Sequence, residues 1–431
     1  MRLDLASFPI HKAIFGDNTE LAGAELRIDK QQLIALLSGD PSFAAVDVEI
    51  AHPGESVRIT QITDVIEPRI KIGGPGDIFP GLLGPVETVG SGRTNRLAGL
   101  ALMTSGEVPW LGARGLFVPR DTIVDMAGPG ADLTPHSQTV NVVLKFEFAG
   151  GRTHEDYERA LLFAGVKAAR YLAATTIDLN PPQVDTFDTT PADPSLRKVL
   201  YAYQVQSQGV FMRTYLYGRL LDELLPTLLE PGEILDGALI AAGLGGWHVK
   251  LSTWLHQNNP IITGLLRRHG SAWNFGGVIL NRGHYYVYED KQRVAIQIAK
   301  LAQMVGAAAV VFTLGGGGNN ITEVMLAIQN CERLGIKTVL LTWEHCGPDG
   351  ASYSLPFAVP EAVAMVSAGT VDDPIELPRP LRIIGQPSIR IRPEVGGVRL
   401  DMDQALTREN RSELYGGANA AGWQKVGIAE S

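Results

Sequence analysis

Apolar and polar residues alternate along 56–73 (SVRITQITDVIEPRIKIG) and 139–150 (TVNVVLKFEFAG), the period of two expected of strands with one buried face. Gly/Pro clusters separate such stretches. The longest, 73–95 (GGPGDIFPGLLGPVETVGSGRTN), predicts an extended loop. The period changes at 152–176 (RTHEDYERALLFAGVKAARYLAATT). Apolar positions there recur at helical spacing, with Thr153 as the cap and Glu155 and Asp156 in the first turn, where the helix dipole favours acids. A Pro/Asp-rich loop covers 178–198, and from Leu200 onward buried apolar runs alternate with helical stretches, the rhythm of βαβ units. The pattern predicts an α/β protein. Residues 1–150 form a β-rich domain with long loops, 151–375 a Rossmann-like α/β domain with a mostly parallel sheet, and 376–431 a C-terminal extension.

Three apolar runs of the second domain end in glycine-rich or polar loops: 234–242 (ILDGALIAA) into GLGGWH, 307–313 (AAAVVFT) into LGGGGNN, and 336–343 (IKTVLLTW) into EHCGPDGAS. Strands of a parallel sheet place their carboxyl ends along one edge, where ligands bind, so the three loops are expected to be neighbours. The second loop leads into a predicted helix, 319–335, whose first N–H groups could receive a carboxylate or phosphate. Gly316, Gly317, Asn319 and Asn320 are the substrate-binding candidates. The run lacks the Lys-Ser/Thr of a P-loop and the G-x-G-x-x-G spacing, so a flexible turn before a helix is the alternative.

Composition narrows the partners. The 46 acidic and 37 basic residues give a formal charge of −9, which disfavours nucleic acid and anionic membranes and leaves small molecules or proteins. No window reads as a signal peptide or a membrane span, so a cytoplasmic location is expected. Cys331 and Cys346 are the only cysteines, too few for a disulfide framework, and read as reduced thiols. Cys331 falls mid-helix, as a small packing residue. Asp125, Gly128, Gly130 and Asp132 of DMAGPGADLTP read as a rigid loop.

Several long, colinear stretches carry a resemblance: 76–106, 123–144, HQNNPII at 256–262, 288–307, 331–352 and 366–378. Through them the sequence resembles the alpha/beta subunit precursor of component B of the glycine, sarcosine and betaine reductases. The resemblance implies a substrate-binding subunit of a hetero-oligomer, cut before a cysteine that becomes a pyruvoyl group. A second subunit, of the selenoprotein B type, then brings selenocysteine or cysteine. In that pattern the cysteine follows DGA(V/I)(V/I)SGN, whereas here DGALIAAGLGG puts Gly243 and Leu244 in place of Asn and Cys, with no Cys, Ser or Thr from Asp236 through Lys250. The expectation is an uncut chain without a pyruvoyl group. The LGGGGNN loop also departs from the pattern, while Glu344, Cys346, Gly347, Asp349 and Gly350 follow it. Apolar Ile78, Phe79, Leu82 and Leu83, in a long loop, are expected to meet the partner.

Five of the nine histidines, His248, His256, His269, His284 and His345, fall with Glu344, Cys346 and Asp349 between positions 248 and 349, a mild enrichment. One expectation is a divalent metal (Zn, Co or Mn) held by His248, Glu344 and His345, with His256, Cys346 and Asp349 as catalytic groups, since imidazole, carboxylate and thiolate can support a Lewis acid or metal-bound hydroxide. Cys346 beside His345 could alternatively be an activated thiolate. The spacing matches no zinc motif, and histidines satisfied by local hydrogen bonds are the plain alternative. Two function classes follow. One is redox-neutral, metal-assisted hydrolytic cleavage of a C–N or C–S bond in a small amino-acid-like or cyclic amide-like substrate. The other is a non-catalytic binding or scaffold subunit whose partner carries the reactive group.

Overall fold

The computed structural model describes residues 1–109, 122–190, 193–207, 213–241, 243–244, 251–316, 318–344, 355–370, 374–391, 398–408, 411 and 414. The first half builds two mixed four-stranded sheets from β1 (Arg2–Pro9), β2 (Phe43–Ala51), β3 (Ile62–Ile66), β4 (Arg69–Gly73), β5 (Gly92–Ala98), β6 (Leu100–Ser105), β7 (Val140–Phe148) and β8 (Gln183–Asp188). Their orders are β8-β1-β5-β4 and β2-β7-β6-β3. Helix α1 (His154–Ala173) opens with the expected cap: Thr153 and Asp156 exchange side-chain and backbone hydrogen bonds, satisfying two of the helix's unpaired N–H groups. Its apolar face, including Leu161 and Leu172, joins Leu97, Leu102 and Leu144 in one core. The β-rich part therefore draws in chain from beyond residue 150. It also recruits the C-terminal segment, since Arg382–Ile384 pairs in parallel with Val57–Ile59.

The expectation that Ile78 and Phe79 face a partner is overturned. Both are 0% exposed and belong to that first core, with Leu82 and Leu83 packed against it. A Gly/Pro-rich loop can still be pinned by its few large side chains, and here those side chains are core.

The second half is built on a six-stranded sheet of β9 (Lys198–Gln206), β10 (Thr227–Leu229), β12 (Asn274–Gly283), β13 (Ala309–Thr313), β14 (Lys337–Glu344) and β15 (Met365–Thr370). The order is β10-β12-β9-β13-β14-β15, parallel except for the edge strand β10. Counting only the parallel strands in chain order gives 2-1-3-4-5, the flavodoxin-like doubly wound arrangement. Helices α4 (Tyr288–Val305) and α5 (Asn319–Arg333) pack on each other and on this sheet, with Ile298, Phe312, Ile321, Met325 and Leu340 in their core.

One expected strand of this sheet is elsewhere. Residues Pro231–Leu235 are a short helix, and β11 (Leu239–Ala241) pairs antiparallel with Thr214–Leu216 in a separate three-stranded sheet. A short, wholly buried apolar run carries no period that tells a parallel strand from another buried segment.

The halves are joined through buried charge. Asp236 accepts hydrogen bonds from Lys71, the Thr94 hydroxyl and Gly90 N (2.8 Å). Arg69 binds Glu67 (2.7 Å), the Leu235 carbonyl, the Gln257 carbonyl (3.1 Å) and Asn258 Oδ1 (3.0 Å). Each of these ions lost solvent on folding, and only its partners offset that. Replacing Asp236 by Asn should leave the Lys71 ammonium buried and unpaired. Urea denaturation is expected to show a loss of about 3–5 kcal/mol; a loss below 1 kcal/mol would mean water reaches the pair.

Candidate functional site

In a doubly wound sheet the crevice opens where the strand order reverses, at the carboxyl ends of the first and third strands. Here those are β9 and β13. Gln204 on β9 reaches across: its Oε1 accepts from Gly315 N (3.0 Å), and its Nε2 donates to the Asn320 carbonyl (3.2 Å) and to Glu323 Oε2 (3.1 Å). Glu323, in the first turns of α5, also accepts from His284 N (2.8 Å), Tyr285 N (2.6 Å) and Lys291 (2.8 Å). Burial raises its pKa above the usual carboxylate range, and Lys291 with the backbone donors offsets only part of that rise. Strand β9 and the loops after β12 and β13 are thus tied together by one carboxylate and one amide.

The glycine run has a packing reason. A Cβ on Gly315 would stand 2.6 Å from the Gln204 carbonyl oxygen, and one on Gly316 would stand 2.7 Å from Asn320 Nδ2 and 2.9 Å from Gln206 Oε1. Only glycine permits that approach. Of the expected substrate-binding residues, Gly316, Asn319 and Asn320 lie at this edge, and Gly317 lies outside the described residues. Glu344 ends β14 on the same side of the sheet. His248, His345, Cys346 and Asp349 lie outside the described residues. Among the described residues no group of three or more His, Cys, Asp or Glu is placed to hold a metal.

His256 sits in a buried row of side chains. Its Nδ1 is 2.8 Å from the Tyr203 hydroxyl, Tyr203 stacks on Tyr201 at 5.1 Å, and the Tyr201 hydroxyl is 2.7 Å from Thr313 Oγ1. Burial lowers the His256 pKa to about 3, so the ring is neutral, and Nε2 has no partner among the described residues. The rest of HQNNP is a clamp. Gln257 exchanges hydrogen bonds with the Glu67 backbone (3.0 and 3.3 Å), and Asn258 Oδ1 accepts from Arg69 and Arg96 (3.0 and 3.1 Å). Asn259 caps the helix Pro260–Arg267 by accepting from Ile261 N and Ile262 N, with proline at its first position, where no N–H is missed.

The strand end at Ala241 adjoins the crevice. Thr214 pairs with Ala241, and its hydroxyl donates to the Gln206 carbonyl (2.7 Å). On the other side Asp64 receives Thr253 N (2.9 Å) and the Thr253 hydroxyl (2.6 Å), and Ala241 N donates to that same hydroxyl oxygen (3.1 Å). Burial pushes the Asp64 carboxyl up to about 7. Beyond it Leu244 donates its N–H to the Thr63 carbonyl (2.9 Å). Its side chain, 4% exposed, packs with Ile62, Val65, Met103, Val124, Met126 and Trp254. A cavity of about 20 Å³ beside it, roughly the space of one water, is lined by Ile62, Val65, Thr122, Leu133, His136 and Leu255, among others. His136 was not among the sequence candidates. Its ring meets Trp254 edge-on at 5.1 Å, and burial lowers its pKa to about 3. A single histidine after Thr-Pro carried no signal of this placement.

The model of the glycine/sarcosine/betaine reductase component B subunits matches residues 1–429. The chain belongs to that family. It is 40% identical over 394 residues to the glycine reductase complex component B subunits alpha and beta of Acetoanaerobium sticklandii, covering 90% of each chain. It is 38% identical over 375 residues to the sarcosine reductase complex component B subunit alpha of Peptoclostridium acidaminophilum, covering 86% of each. The betaine reductase complex component B subunit alpha of that organism is 32% identical over 456 residues, covering 100% of each. No solved structure matches. Among the described residues no helix is long and apolar enough to cross a membrane.

The buried groups of this component B relative predict a pH dependence with opposed parts. His136 and His256, lowered to about 3, stay neutral in the fold while the unfolded chain takes up protons below about pH 6.5. Their stabilisation is complete above that pH and lost as pH falls toward 3. Asp64, raised to about 7, keeps its proton while the unfolded carboxyl loses it near pH 4. Its contribution is present below pH 4 and lost as pH rises to 7. Between pH 4 and 6.5 each group changes the slope of stability by about 1.4 kcal/mol per pH unit. Relative to wild type, His256→Gln should flatten the acid-side loss by one proton, and Asp64→Asn should steepen it by one. Urea titrations at pH 4.5, 5.5 and 6.5 measure both.

Proposed function

We propose that this chain is the substrate-binding subunit of a hetero-oligomeric enzyme related to reductase component B, working without a carbonyl electrophile of its own. The observation that carries the reading is Leu244. It occupies the position of the pattern's cysteine, and its side chain packs among Val65, Met103, Val124 and Trp254. A leucine has no nucleophilic side chain for an acyl shift, and here it fills core. The substrate crevice is the carboxyl edge of the parallel sheet, at Gln204, Gly316 and Asn320, reached from Ala241 through Thr214. A partner of the selenoprotein B type supplies the reactive thiol or selenol.

Metal-assisted, redox-neutral hydrolysis of a C–N or C–S bond is the second reading. Its support is Glu344, which ends β14 on the edge that also carries Asn320, with His248, His345 and Cys346 as the further ligands or nucleophile and a small amino-acid-like or cyclic amide-like substrate.

Intact-mass measurement on chain co-expressed with its partner should give one species near 46.4 kDa that a carbonyl-directed hydrazide does not label. Two fragments meeting near residues 243 and 244 would sink the proposal. Metal analysis separates the two readings. A metal-free chain that is inactive alone and active with the partner supports binding; activity that tracks a stoichiometric metal, and falls with His345→Ala, supports hydrolysis.

A further inference from the structure

The loop around Phe79, expected to meet a partner, is core, but a different apolar face stands open beside the crevice. Strand β12 ends at Gly283, and the chain that leaves it exposes Tyr286 (72%), Val287 (52%) and Tyr288 (53%) in succession. Val287 holds the cap position of α4 and makes no side-chain hydrogen bond there, where Ser, Thr, Asp or Asn would satisfy a free N–H. Local helix stability does not explain an apolar residue at that place. The neighbouring strand β10 is the edge of its sheet and only three residues long. Its shortness and the preceding Pro226 blunt it against strand addition, so Leu224 (37%) and Leu225 (62%) are offered to a partner as side chains.

The two exposed stretches meet at one end of the sheet. β10 runs antiparallel to β12 with Thr227 opposite Leu280, so the chain before Thr227 lies toward the carboxyl end of β12, where residues 284–288 leave. The turn Leu221–Glu223 is tied to that end, because Asp222 accepts from the Ser207 hydroxyl and the Ser207 carbonyl accepts from Arg282 Nη1 (3.4 Å). Arg282 in turn lies over the Tyr285 ring at 4.4 Å. Glu323 pins the loop from inside by accepting from His284 N and Tyr285 N (2.8 and 2.6 Å). A fixed apolar face at the mouth of the crevice results. Acids rim it: Asp222, and Glu289 and Asp290 in the first turn of α4, in a chain of net charge −9. A second copy would set like charge against like, whereas a basic rim would be attracted.

We propose that Leu224, Leu225, Tyr286, Val287 and Tyr288 form the centre of the face that docks the second component B subunit, a protein presenting an apolar patch inside a basic rim. This rests on the reading of that subunit as the source of the reactive thiol or selenol, and adds where it binds. Position favours this occupant: a group delivered to Gln204 and Asn320 has to come over the carboxyl ends of the strands, and these five residues border that approach. Tyrosine offers a large amphipathic contact area with few rotatable bonds and carries a disproportionate share of the binding energy in protein interfaces.

The test uses the full chain and its co-expressed second subunit. A wild-type complex is expected on size exclusion, with amide hydrogen exchange slowed in residues 221–230 and 284–290. Leu225→Ser, Tyr286→Ser and Tyr288→Ser should each weaken the complex by roughly tenfold or more with an unchanged circular dichroism spectrum, since each of these side chains is more than half exposed. Should one of them not fold, the other two decide. Met304→Ser, at the far end of α4 and 74% exposed, is expected to leave affinity unchanged. Glu289→Lys should slow association, more at low salt than at high. Full affinity in the three variants, or protection confined to other segments, overturns the docking face while the complex itself stands; no wild-type complex at all overturns the functional reading with it. Self-association of the free chain that Tyr286→Ser abolishes would assign the face to a second copy and overturn the partner.

Discussion

Everything at the site depends on buried charges that cannot be moved. Asp236 is held by Lys71, Thr94 and Gly90 N, and Arg69 by Glu67, Leu235, Gln257 and Asn258. A charge in such surroundings has no low-energy alternative arrangement, because leaving its partners costs several kcal/mol. These contacts fix both ends of one segment. Asp236 anchors the entry to β11, Asp64 and Thr253 hold its exit at Ala241, and the HQNNP clamp fastens the following helices to β4. Leu244 and the floor of the crevice are positioned between those anchors.

Local order was legible in the sequence wherever the signal was local. The Thr153–Asp156 cap, the helix from Asn319, and the strands ending at Thr313 and Glu344 are all set by neighbours a few residues away. What escaped were contacts across long separations. Gln257 meets Glu67 across 190 residues and Arg69 meets Asn258 across 189, so the clamping role of these two side chains of HQNNP is not readable from their neighbours. Its Asn-Pro step did carry a readable helix-start signal. The role of β9 was hidden for the same reason. Only the order of the strands makes Lys198–Gln206 the hinge of the topology and puts Gln204 at the crevice.

The apolar run 234–242 illustrates a different limit. Ile234, Leu235, Leu239 and Ile240 are buried, and from sequence the mostly apolar run reads as a strand of the parallel sheet. The chain turns at Asp236, whose carboxylate must stay with Lys71, and Gly237 adopts a positive φ of 86° there. That turn sends Leu239–Ala241 to a separate sheet. The polar residue within the run carried the decisive information, and its partner lay 165 positions away.

Residue 244 is where packing and chemistry compete. A reactive group there needs room for a substrate and polar neighbours to move protons, whereas Leu244 closes an apolar cluster and contributes on the order of 1.5–3 kcal/mol by its burial. The small cavity left beside it has one imidazole, His136, held neutral by its surroundings. A leucine side chain packed in this way serves the first-half core. Among the described residues, further buried polar atoms without partners lie one strand pairing on, beyond Thr214 and Gln206, at Asn320 and Arg282 Nε. Unused bonding capacity thus occurs in both places, at His136 Nδ1 beside Leu244 and at the Asn320 amide on the sheet edge.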